Sequence, residues 1–97
     1  PIIITGDFNA PPESEVIQQV LADGTLSDVR SLAPTPLEAN GTYHEFGKIP
    51  PEKQPIIDYI FVTNHFAGAA CTPMPEKWEN IFLSDHTPVY GEVTIAN

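Results

Sequence analysis

The chain has 97 residues, which fits one small domain or part of a larger one. Thirteen acids against four bases leave a net charge of −9, so the surface does not by itself attract a polyanion; nucleic acid is disfavoured as a bulk electrostatic partner, although a metal could still hold phosphate locally. A hydrophobic content of 41 % excludes a disordered composition, the single cysteine, Cys71, excludes an internal disulfide and any multi-thiolate zinc cluster, and no apolar run reaches the roughly 20 residues of a transmembrane helix.

Pro1 to Thr5 reads as a strand, and the consecutive Ile2, Ile3 and Ile4 predict that it is buried on both faces. A chain that opens at Pro1, inside such a strand, reads as a piece of a larger protein, and its compartment stays unknown. Gly6-Asp7-Phe8-Asn9 follows where the strand ends, a place where rigid backbone can hold polar groups. Pro12 and Glu13 suit the first turn of a helix, with Ser14 as a second capping candidate. Val16, Ile17, Val20 and Leu21 share one helical face, Gln18 and Gln19 the other, and Asp23-Gly24 is a stop signal. Leu26 to Leu32 is expected to be a short second helix.

Ala33 to Pro55 reads mostly as loop, broken by Pro34, Pro36, Pro50, Pro51 and Pro55, with Thr42-Tyr43-His44 as its strand-like exception. A loop of that length inside a small domain suggests a role in choosing substrate. Ile56 to Val62 is the second strong strand, with Ile56, Asp58, Ile60 and Val62 pointing one way and Ile57, Tyr59 and Phe61 the other. Asn64-His65 is a turn, Phe66 to Thr72 a partner strand, and Pro73 to Asn80 a loop carrying Trp78, either a recognition aromatic or a lid on the core. Val89 to Ile95 alternates and forms a last strand with one apolar face.

Asp58 is the anomaly. A carboxylate inside Ile-Ile-Asp-Tyr-Ile-Phe-Val costs several kcal/mol to bury unless it is paired or hydrogen-bonded. A histidine is its more attractive partner, and His86 stands at the head of the last strand; such a pair fixes the imidazole tautomer and suits acid–base work. The alternative is a short acid that caps or bends the strand. Asp7 and Asn9 stand two apart, so on an extended segment both oxygens face one ion or one water. Asp85 adds a third oxygen, and oxygen ligation favours Mg2+, Mn2+ or Ca2+ over zinc. An EF-hand is excluded, because Pro11 and Pro12 stand where an acid or amide and a glycine are required. His44 is a candidate substrate contact or a structural residue, His65 a surface residue, and Cys71 a core filler. Asn40-Gly41-Thr42 matches the glycosylation acceptor triplet, a weak pattern. Paired carboxylates also allow a glycosidase, but the Asp85-His86 doublet fits metal–phosphate chemistry better.

Gly6-Asp7-Phe8-Asn9, then Ile57-Asp58-Tyr59-Ile60-Phe61-Val62, then Ser84-Asp85-His86-Thr87-Pro88-Val89 resemble, in order, the last three signature blocks of the endonuclease/exonuclease/phosphatase superfamily. The resemblance spans Gly6 to Val89. It implies an α/β fold, the C-terminal half of a four-layer α/β sandwich with a mixed, mainly antiparallel sheet and a flanking helix. It further implies divalent-metal-dependent phosphoester hydrolysis. Asp7 and Asn9 would position the attacking water and the phosphate, Asp85 and Asp7 would bind the metal, His86 would contact the phosphate, and Asp58 would orient His86. In that family, earlier sequence supplies a metal-binding Asn and Glu, a further His and the first sheet. The resemblance therefore implies that residues 1–97 are the C-terminal portion of the domain, joined in the whole protein by an N-terminal half, and inactive alone. A small phosphorylated molecule or lipid is the favoured substrate; the alternatives are DNA or RNA, or a non-catalytic binding module on the same fold.

Overall fold

Strand β3 (Asp58–Thr63) is the axis around which the chain is built. The computed structural model describes residues 1–32 and 41–96. Within them, β3 pairs antiparallel with β1 (Ile3–Asp7) on one side and with β2 (Leu26–Asp28) on the other, in the order β1-β3-β2. β4 (Phe66–Pro73) and β5 (Val89–Ile95) form a separate antiparallel pair, with a register irregularity between Gly68 and Ala70. Short helices α1 (Glu15–Leu21) and α2 (Val29–Leu32) flank β2 in the chain. The result is the expected mixed α/β fold with antiparallel sheets and few helices.

β3 is covered on both faces because it is central and its side chains alternate. Tyr59 and Phe61 pack on one face with Ala10 and Ile17, joined by Phe8, Val20, Leu21, Leu26 and Ile56. Val62 packs on the other with Val29, joined by Leu32, Ile60, Phe66 and Val93, so α2 and the β4–β5 pair close that face. Phe8 stands edge-on to both Tyr59 and Phe61, with ring centroids 5.7 and 5.2 Å apart. α1 starts at the expected cap: the Ser14 hydroxyl accepts from the Ile17 amide at 3.4 Å, and Ile17 is its buried residue.

Four expectations need correction. The double burial assigned to the first strand belongs to β3; Ile2, Ile3 and Ile4 are exposed, because β1 lies at the sheet edge with no element of the described residues over it. Val16 is also exposed, at the outer border of the α1 stripe. Leu26 to Asp28 is strand rather than helix, since it finds the second edge of β3, and the helix begins only at Val29. Phe66 to Pro73 does follow a turn, but it crosses to pair with β5 and does not return along β3. Asn40 of the acceptor triplet lies outside the described residues, with the rest of 33–40. Cys71 pairs with Gly91 through the backbone, and its side chain likewise lies outside what is described. No helix among the described residues is long and apolar enough to cross a membrane.

Candidate active site

Register brings the first acids together. β1 and β3 pair so that Asp7 stands directly opposite Asp58. Like charges directly opposite destabilise a sheet unless something positive compensates. The compensating group is His86, delivered by the segment that leads into β5. Its Nδ1 bonds Asp58 Oδ2 at 2.8 Å, and its Nε2 lies 3.9 Å from Asp7 Oδ2 and 3.8 Å from Asp85 Oδ1. Residues separated by up to 79 positions thus meet at one imidazole. A cleft of about 470 Å³ opens over them, walled by Thr5, Asp7, Asp58, Ser84, His86 and Thr87.

Short polar links set this geometry. Thr42, buried, uses Oγ1 to accept both the Ile57 and the Asp58 amides at 2.9 and 3.1 Å, and its carbonyl accepts the Thr87 amide at 2.7 Å. One residue thereby grips both the strand that carries Asp58 and the segment that carries His86. Tyr43 forms a bridge with His86 and lays its ring 5.1 Å from the imidazole, and the Ser84 hydroxyl accepts the His86 amide at 3.0 Å. Gly41 lies so close to the Gln54 and Pro55 carbonyl groups that a β-carbon there would collide with backbone. Arg30 donates to the Asp58 carbonyl at 2.8 Å and leaves the carboxylate to His86. On the far face, Tyr59 donates its hydroxyl to the Ala10 carbonyl at 2.6 Å; burial pushes its phenol up to about 12, so it stays a donor.

Burial by itself lowers the pKa of His86, but its hydrogen bond to Asp58 and the charges of Asp58, Asp7 and Asp85 raise it, and the net shift is upward from 6.5. The folded protein thus favours the imidazolium more than the unfolded chain does. One ligand atom each from Asp7, Asp58 and His86 lies within 4.8 Å of the others, close enough to share an ion. The hydrogen bond between Asp58 and His86 occupies the facing atoms of that pair. The carboxylate oxygens in this cluster are hard donors, of the kind that suits Mg2+, Mn2+ or Ca2+.

The structure brings Asp7, Asp58, Asp85 and His86 together. Asn9 adjoins them in a different conformation from the extended one expected: its φ is 50°, and its amide donates to Asp7 Oδ1 at 2.8 Å, turning the chain out of β1. His44 is corrected as a substrate contact. It is 0 % exposed, its ring tilted against Phe82 with centroids 4.9 Å apart and Nδ1 accepting the Gly47 amide at 3.2 Å, so it offers a substrate no surface. His65 is an exposed turn residue as expected, and Trp78 is open to solvent. Sequence reasoning missed Thr42, Tyr43 and Ser84 as positioning groups. The available signal was the alternation of Thr42-Tyr43-His44, which sends the outer two inward and Tyr43 toward the site.

A family model described as "Endonuclease/Exonuclease/phosphatase family" matches residues 1–86. Among solved structures, an endonuclease/exonuclease/phosphatase from Bacteroides vulgatus superposes with a TM-score of 0.86 at 28 % identity, covering 97 % of this chain and 36 % of that one. A functionally unknown conserved protein from Enterococcus faecalis gives 0.80 at 28 %, covering 97 % and 36 %. A mannosyl-6-phosphatase from Bacteroides thetaiotaomicron gives 0.82 at 27 %, covering 96 % and 37 %. A search of the curated proteins returned no match. The chain spans little more than a third of the length of these solved structures. With its signature blocks meeting at one imidazole and the family model matching nearly its whole length, the chain belongs to the endonuclease/exonuclease/phosphatase family.

Proposed function

We propose that the whole protein is a divalent-metal-dependent phosphoester hydrolase and that residues 1–97 are the C-terminal portion of its catalytic domain. The observation that carries this reading is His86 held by Asp58 at 2.8 Å, with its other nitrogen turned toward Asp7 and Asp85. Family membership supports phosphoester hydrolysis in general. The mannosyl-6-phosphatase among the structural neighbours supports a small phosphorylated molecule as substrate, and the net charge of −9 points away from a nucleic acid.

A divalent ion held by Asp7 and Asp85, when bound, neutralises phosphate oxygens and eases loss of a proton from water. The side chains supply the rest. Asp58 accepts a hydrogen bond from His86 Nδ1–H and fixes the ring, so that Nε2–H points at the phosphate. With Nδ1 bonded to Asp58, His86 serves as a donor to the developing negative charge. Asp7 is then the acceptor for the proton of the attacking water, and the bond from the Asn9 amide holds its carboxylate in place. The remainder of the domain completes the metal site and packs on the exposed isoleucine edge of β1, a placement supported by the share of the matched structures that this chain covers.

The test is hydrolysis by the full-length protein of a panel covering DNA, RNA, sphingomyelin, inositol phosphates and sugar phosphates, with Mg2+ and then with EDTA. EDTA is expected to abolish turnover, and His86→Ala or Asp7→Ala to lower it about 100-fold or more. Turnover that survives EDTA, or a near-normal rate in either variant, overturns the assignment.

A further inference from the structure

Beside the cleft runs a second groove of about 170 Å³. Its outer part is formed by Met74, Trp78 and Leu83; its inner part is Ser84, His86 and Pro88, which also line the cleft over Asp58. The groove therefore leads away from His86, in the direction open to the group that a phosphate carries.

Trp78 is 65 % exposed and Leu83 76 %, yet the indole stands on a fixed base. Trp78 and Ile81 exchange two amide–carbonyl bonds of 2.9 Å each, around a two-residue turn in which Glu79 and Asn80 both have positive φ, 50° and 65°. Such a turn is the tight hairpin type, so little ordering is left to be done when a ligand arrives. Polar groups stand in the same wall. The Glu76 carboxylate is tied to Gln54 Nε2 at 3.3 Å, and the Lys77 ammonium lies over the Phe82 ring, 4.7 Å from its centroid.

We propose that this groove is the leaving-group subsite and that it takes the pyranose ring of a sugar phosphate. A pyranose has an apolar C–H face and a hydroxyl rim. The first matches the indole of Trp78 and the side chain of Leu83, and the second the acceptor oxygens of Glu76. The size also fits one ring: pockets that bury a drug-sized ligand run about 300–1,000 Å³, so a lipid tail has too little room. The carboxylate in the wall accepts hydroxyls and repels the further phosphates of a polynucleotide. The assignment rests on the hydrolase reading above. In the reaction the oxygen of water bonds to phosphorus and the ester P–O bond breaks. One water proton stays on the phosphate and the other ends on the sugar oxygen, so the products are free sugar and inorganic phosphate.

The experiment uses the full-length protein and two readouts. The first is the ratio of kcat/KM for hexose 6-phosphates to that for glycerol phosphate. Trp78→Ala is expected to lower this ratio about tenfold, the scale of losing one aromatic stacking partner, and Trp78→Tyr, which keeps an aromatic face, to restore most of it. The second is saturation-transfer NMR with methyl pyranosides, which contain no phosphate. Binding is expected in the unmodified protein and its loss in Trp78→Ala. An unchanged ratio, absence of pyranoside binding, or a fall confined to nucleoside monophosphates overturns the sugar assignment. Trp78-dependent pyranoside binding without hydrolysis of any phosphoester sinks the hydrolase reading and leaves the sugar groove standing. Hydrolysis indifferent to Trp78 sinks the groove alone.

Discussion

The two nitrogens of His86 face different surroundings, and most of the chemistry turns on that difference. Nδ1 is committed to Asp58, while Nε2 looks into the cleft between two further acids. The pKa of His86 is raised in the folded protein, so the imidazolium contributes stability that is complete below its unfolded value near 6.5 and is lost as the pH climbs through the higher folded value. NMR titration of the metal-free protein is expected to give a midpoint above 6.5, and Asp58→Asn to lower it. A midpoint at or below 6.5 would remove the basis for treating His86 as a donor. The rate of hydrolysis should decline on the alkaline side as His86 loses its proton, and a rate that rises there would make His86 the base instead. This residue-level chemistry was partly legible in the sequence. An acid embedded in an apolar strand demands a partner, and few residues could serve. His44 was not legible, because a histidine after a strand-like run reads the same whether it faces solvent or, as here, Phe82.

At the scale of elements, the site depends on a segment with almost no regular structure. Residues 42–44 add no full strand, yet they bridge the start of β3 to the 85–87 segment through backbone bonds and Thr42 Oγ1. Thr42→Val keeps the shape and removes the acceptor, leaving the Ile57 and Asp58 amides unpaired. A buried donor left without a partner costs about 1–3 kcal/mol, so denaturant unfolding of the full-length protein should show a loss on that order, together with lower turnover; Thr42→Ser should recover most of both. A wild-type denaturation midpoint in Thr42→Val would show that the link carries no weight. β3 was readable from its nearly unbroken apolar run, and the last strand from its alternation, since one buried face leaves a period of two. The short strand at Leu26–Asp28 was not. Three residues carry too little periodicity to distinguish strand from helix, and it was the free edge of β3 that decided.

Across the whole molecule, the apolar surface of β1 is out of proportion to its position. Ile3 and Ile4, with Ile2 just before them, lie exposed on a strand whose composition suits a sheet interior. This chain covers little more than a third of the matched structures, and under the function proposed above the remainder of the domain would cover these side chains. The isolated 97-residue chain is accordingly expected to bind Mg2+ weakly and to turn over little or no phosphoester, measured by calorimetry and by phosphate release. Robust Mg2+-dependent hydrolysis by the isolated chain would refute that expectation.

By itself the sequence determined the identity of the strongest strands, the polar residues at their ends and, through three ordered blocks, the family. These are local properties, written in periodicity and in residue types that are costly to bury without a partner. Tertiary structure alone decided which strand became the centre, that Asp7 faces Asp58 across one register, that Thr42 ties both halves of the Asp58–His86 pair, and that His44 is sealed inside. Each of those depends on pairing and packing between residues far apart along the chain, where one residue of slip would turn every side chain to the opposite face.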